Sequence, residues 1–320
     1  LTNLAFLFPG QGAQFVGMGL DYYEHYPEAK ATFEQAATVL GPAFLEVIFT
    51  GPEEKLQLTE YTQPAILTVS VAIYRVLQKH GFKANGMAGL SLGEYSALVA
   101  AGSLSFEEAL PLVQKRGMLM QKVVPVGKGS MVAIMGLPHS EVVKICNNVQ
   151  EKGLVAPANY NCPGQIVLSG YLPALDKAIE LARDAGAKKI TWLKVSAPFH
   201  CELLKPVEKE LAEVLSKVQI QKPLVPIVFN TSAEFCHKAE HIKENLIHQV
   251  SNPIMWEQSI RTLLTFGVDT FIGLGPGDSL TRLMKRIDPK ARAYSVENVE
   301  AIKKLGDNHL QRGDLYGISR

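Results

Sequence analysis

Residues 86–94 read Gly-Met-Ala-Gly-Leu-Ser-Leu-Gly-Glu, and within them Gly89-Leu90-Ser91-Leu92-Gly93 is a G-x-S-x-G pattern placed where a short apolar run meets a helical stretch. A serine so placed sits on a sharp strand-to-helix turn, where a Cβ on either flanking glycine would strike neighbouring backbone. Ser91 is therefore a candidate nucleophile and residues 86–90 a brief strand. Further towards the N-terminus, Leu4-Ala5-Phe6-Leu7-Phe8 is closed by Pro9-Gly10, the pattern of a buried strand followed by a loop. Helical periodicity covers about 21–40, 63–80 and 93–101, and Ser105-Phe106-Glu107-Glu108 is a capping box that opens a helix running to about Lys122. Strands alternating with helices make this an α/β chain.

A different rhythm holds from 127 to 196. Residues 131–136 are strand-like, 140–149 helical, 155–161 and 165–170 strand-like, 173–185 helical and 189–195 strand-like. That β-α-β-β-α-β order is ferredoxin-like, and Gly127-Lys128-Gly129 reads as a hinge. The expectation is a small domain, 127–196, inserted into a larger one built from 1–126 and 197–320. In the resumed part, 224–230 and 270–274 read as strands and 239–250 and 253–266 as helices.

At 320 residues and 47% hydrophobic composition the chain can bury a large core. Lysine and arginine (32) balance aspartate and glutamate (31) without a basic cluster, which argues against a nucleic-acid or anionic-membrane surface. Cys146, Cys162, Cys201 and Cys236 are spaced 16 to 39 residues apart with no C-x-x-C, so neither a metal site nor a disulfide framework is expected. No apolar run reaches membrane-spanning length, and residues 1–8 are too short for a signal core. A cytoplasmic protein with free thiols is the expectation.

A serine hydroxyl needs a base, and histidine has the pKa for that work. Seven of the eight histidines, His25, His80, His139, His237, His241, His248 and His309, lie in polar or helical segments where solvation is the default. His200 ends Val195-Ser196-Ala197-Pro198-Phe199-His200, at the junction after the inserted unit, where clefts form. Arg116 falls on the apolar stripe of its helix, with Phe106, Ala109, Leu110, Val113 and Met120. Two readings stand open: snorkelling or an internal ion pair, or a planar fork for a carboxylate-bearing ligand. The loop Gly10-Gln11-Gly12-Ala13-Gln14 is either a tight turn or the source of one oxyanion-hole amide, with Gln11 and Leu92 as the natural pair.

Seven motifs in order, Phe8-Pro9-Gly10-Gln11-Gly12, Thr62-Gln63-Pro64-Ala65, Gly89-Leu90-Ser91-Leu92-Gly93-Glu94, Arg116-Gly117-Met118-Leu119-Met120-Gln121, Asn159-Tyr160-Asn161, Pro198-Phe199-His200 and Gly275-Pro276-Gly277, resemble the malonyl-CoA:acyl-carrier-protein transacylases over nearly the whole length. The resemblance implies an α/β-hydrolase-like large domain with a ferredoxin-like insertion, and malonyl transfer from malonyl-CoA to an acyl carrier protein, in fatty-acid or polyketide synthesis, through an acyl-serine. By the same resemblance Ser91 is the nucleophile and His200 its base, oriented by the main-chain carbonyl of Gln249. Gln11 and Leu92 supply the oxyanion hole, Arg116 grips the malonyl carboxylate, Gln63 lines the pocket, Asn159 and Asn161 lie near the pantetheine arm, and the bulk of Phe199 disfavours a branched α-carbon. No bound cofactor or metal is implied.

Small departures are Ala13 and Cys162 where serine is common, and Gly273 where an acid is frequent. Gly273-Leu274-Gly275-Pro276-Gly277 also mimics a dinucleotide loop, but Pro276 lies inside it and no β-α-β unit is read after it. The rival functions are an α/β hydrolase or thioesterase, normally ordered Ser, acid, His, and an inert carrier-docking module. A stand-alone, monomeric enzyme is expected over a domain of a megasynthase, because the sequence starts almost at its first strand without linkers.

Overall fold

The computed structural model describes residues 3–125, 127–195 and 197–310, so the expected domain limits at 1, 126, 196 and 320 lie outside the described residues. Among the described residues ten strands form two sheets. β1 (Leu4–Phe8), β2 (Gly86–Gly89), β7 (Ile227–Val228), β8 (Phe235–Cys236), β9 (Thr270–Gly273) and β10 (Arg292–Ser295) make the larger, in the order β10-β9-β1-β2-β7-β8. All its pairings are parallel except β7 with β8. Every residue of β1 is buried, because side chains alternate between two covered faces. Leu4, Phe6 and Phe8 enter the main core with helix Thr59–Lys79, while Ala5 and Leu7 meet Trp256, Ile260 and Met284 on the other side.

β3 (Gly129–Met135), β4 (Val155–Cys162), β5 (Gln165–Tyr171) and β6 (Lys189–Trp192) form an antiparallel sheet in the order β4-β5-β3-β6. Helices His139–Asn148 and Leu172–Asp184 cover one face around Val132, Ile134, Val142, Leu168 and Ala178. The other face sends Met131, Ala133 and Val167 into the main core. The smaller sheet meets the larger unit through helices Trp256–Thr265 and Ser279–Ile287, which pack on β4, and through the bridge of Asn159 to Ile254. No helix among the described residues is long and apolar enough to cross a membrane.

The structure corrects several expectations. The helix read over 21–40 is two, Leu20–His25 and Pro27–Leu40, because Pro27 pushes Tyr26 out of the helical region to φ −124° and ψ 120°. The strand read over 224–230 shrinks to Ile227–Val228, since Pro223 and Pro226 remove amides from any ladder. The late glycine loop does lie within a β-α-β unit, between β9 and helix Ser279–Ile287, with β10 following parallel to β9. It was illegible because β10, Arg-Ala-Tyr-Ser, is a half-exposed edge strand with no apolar run. A Cβ on Gly275 would lie 2.4 Å from the Pro9 ring, and the loop encloses only about 10 Å³, too little for a nucleotide.

Candidate active site

β2 ends at Gly89, and the chain turns through Leu90, Ser91 and Leu92 into helix Gly93–Ala100. Ser91 holds φ +54°, a left-handed conformation uncommon for a residue with a side chain. The turn survives because its neighbours close on it. A Cβ on Gly89 would lie 1.9 Å from the Gly93 carbonyl carbon, one on Gly93 2.1 Å from the Phe8 oxygen, and one on Gly10 2.4 Å from the Leu90 oxygen. Gly89→Ala and Gly93→Ala are each expected to cost at least about 3 kcal/mol, since only backbone can give way. Thermal melts of the purified variants check this, and wild-type melting temperatures would contradict the clamped turn.

His200 also has positive φ, +60°, and is 4% exposed. Its Nδ1 lies 2.8 Å from the main-chain oxygen of Gln249, and its Nε2 lies 2.7 Å from Ser91 Oγ. A carbonyl can only accept, so Nδ1 carries the proton and Nε2 presents its lone pair to the serine hydroxyl. Burial, reinforced by the charge of Arg116 and opposed by the Gln249 carbonyl, pushes the imidazole down to about 3. The ring is therefore neutral and able to accept a proton throughout the ordinary pH range.

Arg116, in helix Phe106–Lys122, is 1% exposed. Its Nη1 donates to Gln63 Oε1 at 2.9 Å, and its Nη2 donates to Gln249 Oε1 at 2.8 Å and to Ser91 Oγ at 3.3 Å. The guanidinium carbon sits 5.4 Å from the Tyr95 ring centre, and Nε is buried without a hydrogen-bond partner among the described residues. Snorkelling is excluded by the burial. The oxygens bonded to the fork belong to neutral side chains, so the cation is held in place without a carboxylate on it.

A cleft of about 890 Å³ is lined by Gln11, Gln63, Ser91, Leu92, Arg116, Asn159, Asn161, Phe199 and His200. The sequence reading is thus gathered in one place, with Gln249, 0% exposed, directly behind it. Asn161 presents a buried Oδ1 without a partner among the described residues. Lys189, Lys194, Arg282 and Arg286 also line the cleft, against Glu53 as the acidic side chain.

Sequence reasoning missed the layer beneath. Asn230 accepts from the Ser91 amide at 2.7 Å through Oδ1 and donates to the Gly89 oxygen at 2.7 Å through Nδ2. Its own amide donates to Glu94 Oε1. Glu94 Oε2 accepts from Gln249 Nε2 at 2.6 Å, and that amide also donates to the Ser91 oxygen at 3.0 Å. Burial raises the Glu94 carboxyl to about 8, against the smaller opposing pull of the Asn230 amide, Arg116 and Gln249. Glu94 stands in the quoted motif, yet nothing in the chain marked its partners, and Asn230 lies 139 residues from Ser91.

A hydroxyl beside a neutral imidazole and a buried cation, in a cleft lined from both the larger unit and the smaller sheet, is equipment for acyl transfer, and fold and site together define an acyltransferase. The chain belongs to the acyl transferase domain family, whose model matches residues 5–312. It is 44% identical to the malonyl CoA-acyl carrier protein transacylase of Bacillus subtilis (strain 168), over 95% of this chain and 96% of that protein. It is also 44% identical to the protein of that name from Escherichia coli (strain K12), over 94% and 98%. Among solved structures, an acyl carrier protein S-malonyltransferase from Vibrio cholerae superposes with a TM-score of 0.92 at 41% identity, covering 95% of this chain and all of that one. A malonyl-transacylase in complex with its type II PKS acyl-carrier protein gives 0.94 at 40%, covering 96% and 100%.

Proposed function

We propose that this protein transfers a malonyl group from malonyl-CoA to the phosphopantetheine thiol of an acyl carrier protein, by a ping-pong route through a malonyl ester on Ser91. What carries the proposal is the place of Arg116, with Nη2 3.3 Å from the same Ser91 Oγ that lies 2.7 Å from His200 Nε2. A cation there can hold the free carboxylate of malonyl while the thioester carbonyl meets the hydroxyl. The names of the relatives support the donor and the acceptor.

In the first step His200 Nε2 takes the Ser91 proton as Oγ adds to the thioester carbonyl, and the oxyanion is met by the amides of Gln11 and Leu92. Collapse breaks the C–S bond, and the imidazolium returns its proton to the departing CoA sulfur. In the second step the carrier thiol gives its proton to His200 and attacks the ester, and Ser91 Oγ leaves with that proton. The Gln249 carbonyl holds the imidazole in place of the acidic third member expected of a hydrolase. Gln63 braces the fork, Phe199 fills the space beside the α-carbon, and Asn159 and Asn161 face the pantetheine amides. The larger sheet is an α/β-hydrolase-like domain of 1–126 and 197–320, and the strand order β4-β5-β3-β6 supports a ferredoxin-like insertion of 127–196. The enzyme acts as a cytoplasmic monomer without a bound cofactor.

Intact-mass measurement after separate mixing with malonyl-CoA, acetyl-CoA and methylmalonyl-CoA tests this. A mass gain with malonyl-CoA, mapping to Ser91, is expected. Label on Cys162 or Cys201, whose thiols burial pushes up and away from the reactive thiolate, would overturn it.

Two further outcomes follow from the geometry. Gln11→Ala keeps the main-chain amide, so it should lose far less than the roughly 100- to 1000-fold typical of deleting an oxyanion donor. A loss of that full size in a folded variant argues against a backbone hole. An imidazole with the usual pKa of about 6.5 would lose its base form about tenfold per pH unit below that value. With His200 pushed down to about 3, the neutral base persists as pH falls, and its loss is deferred to the lower value. Single-turnover acylation by acetyl-CoA, which leaves the Arg116 carboxylate site empty, should therefore hold its rate from about pH 8 to 5. A decline centred near pH 6.5 would contradict it.

A further inference from the structure

Glu94 is buried at 1% exposure in the first turn of the helix that follows the nucleophile, and the catalytic steps above make no direct use of it. Both its oxygens accept from neutral groups, Oε1 from the Asn230 amide and Oε2 from Gln249 Nε2 at 2.6 Å. Its position matters because a glutamine side chain has two nearly isosteric ends. At the end of Gln249 that faces Glu94, the neighbours are the Glu94 carboxylate, the Ser91 oxygen at 3.0 Å and Asn230 Oδ1 at 3.4 Å. All three accept, so the amide nitrogen must lie there. The opposite end, the oxygen, is thereby turned to Arg116 Nη2 at 2.8 Å.

We propose that Glu94 is a positioning residue for substrate selection: it fixes the orientation of the Gln249 amide, and through it the Arg116 fork that receives the malonyl carboxylate. The inference rests on the function proposed above. The arrangement answers a conflict at Arg116. A carboxylate bonded directly to the fork would compete with the substrate for it, whereas the neutral oxygen of Gln249 holds the fork and leaves the cation for the substrate. Glu94 stands behind Gln249 without occupying the fork, and burial raises its carboxyl to about 8, so it acts on Arg116 through the hydrogen bonds of Gln249. The main chain of the same Gln249 holds His200 Nδ1, so substrate grip and base share one residue.

Glu94→Gln separates positioning from support. The glutamine oxygen can still accept from the Asn230 amide, which preserves the brace under Ser91. Its nitrogen then faces the Gln249 nitrogen, donor against donor, and Gln249 turns over, presenting its NH2 group to the cation. Malonyl transfer is expected to fall by about 10- to 150-fold in kcat/KM, the worth of one charged hydrogen bond, mainly through KM. Acetyl transfer, which makes no use of the fork, should fall much less. Gln249→Ala removes the side-chain link and keeps the carbonyl for His200, so adding Glu94→Gln to it should cost little more on malonyl.

An unchanged malonyl-to-acetyl ratio in Glu94→Gln, or losses that simply add in the double variant, would overturn the proposal. If Glu94→Gln does not fold, Gln249→Ala alone decides, since a wild-type ratio there breaks the same chain of contacts. Failure of the wild-type protein to accept malonyl at all would instead overturn the function on which the inference rests.

Discussion

Arg116→Ala is expected to cut malonyl transfer by about 10²- to 10⁴-fold, from two charged hydrogen bonds at about 1.5–3 kcal/mol each, while acetyl transfer holds or improves. The variant removes the cation and leaves the Ser91–His200 contact of 2.7 Å and the elbow intact. Acetyl carries no carboxylate to lose a partner, and it gains room. The competing account, a cation that only supports the core, gives a different pattern. Gln63 Oε1 and Gln249 Oε1 would each lose a donor, the melting temperature would fall, and both substrates would decline together. Values of kcat/KM for malonyl-CoA and acetyl-CoA on both proteins, with a melting curve alongside, decide between them. An unchanged ratio would remove Arg116 from substrate selection.

Ser91→Ala is expected to abolish the acyl-enzyme and to lower turnover by on the order of 10⁶-fold, the scale seen when a covalent nucleophile is removed. The fold should tolerate the change. Ser91 is held by its main chain, through the amide to Asn230 and the carbonyl to Gln249, and alanine keeps both. The absence of a mass gain in a protein with a near-native melt is the expected result. A malonyl adduct that persists in this variant would place the nucleophile elsewhere.

The Ser91 turn and the place of Arg116 on its helix were legible because their spacing rules are local, whereas His200, 109 residues from Ser91, was singled out by its place at a junction and given its role by the family resemblance. The glycines around Ser91 announce a turn whose steric demand is set within a few residues, and Gly89 and Gly93 meet it at 1.9 and 2.1 Å. Arg116 could be placed on the buried stripe of its helix from periodicity alone, yet the same periodicity left its partner undecided between a core acid and a ligand. Family resemblance, carried by the seven motifs, supplied the roles of Gln249, Asn159 and Asn161, which spacing could not. Proline chemistry near Tyr26 and Pro226 was written in the chain but outweighed by apolar pattern in the reading of 21–40 and 224–230.

By itself the sequence determined an α/β chain with a β-α-β-β-α-β segment inside it, a strained serine turn and a charged residue on an apolar face, since each follows from local sterics or from a repeat of 2 or about 3.6 residues. Tertiary structure alone decided which groups meet. Glu94, Asn230 and Gln249 are separated by up to 155 residues, and their hydrogen bonds exist only once the turn, the end of β7 and the helix Ala239–Gln249 are packed together. The charge state of His200 was decided in the same way. An isolated histidine titrates near neutrality, and it is the exclusion of water around His200, together with the nearby cation, that keeps its imidazole neutral.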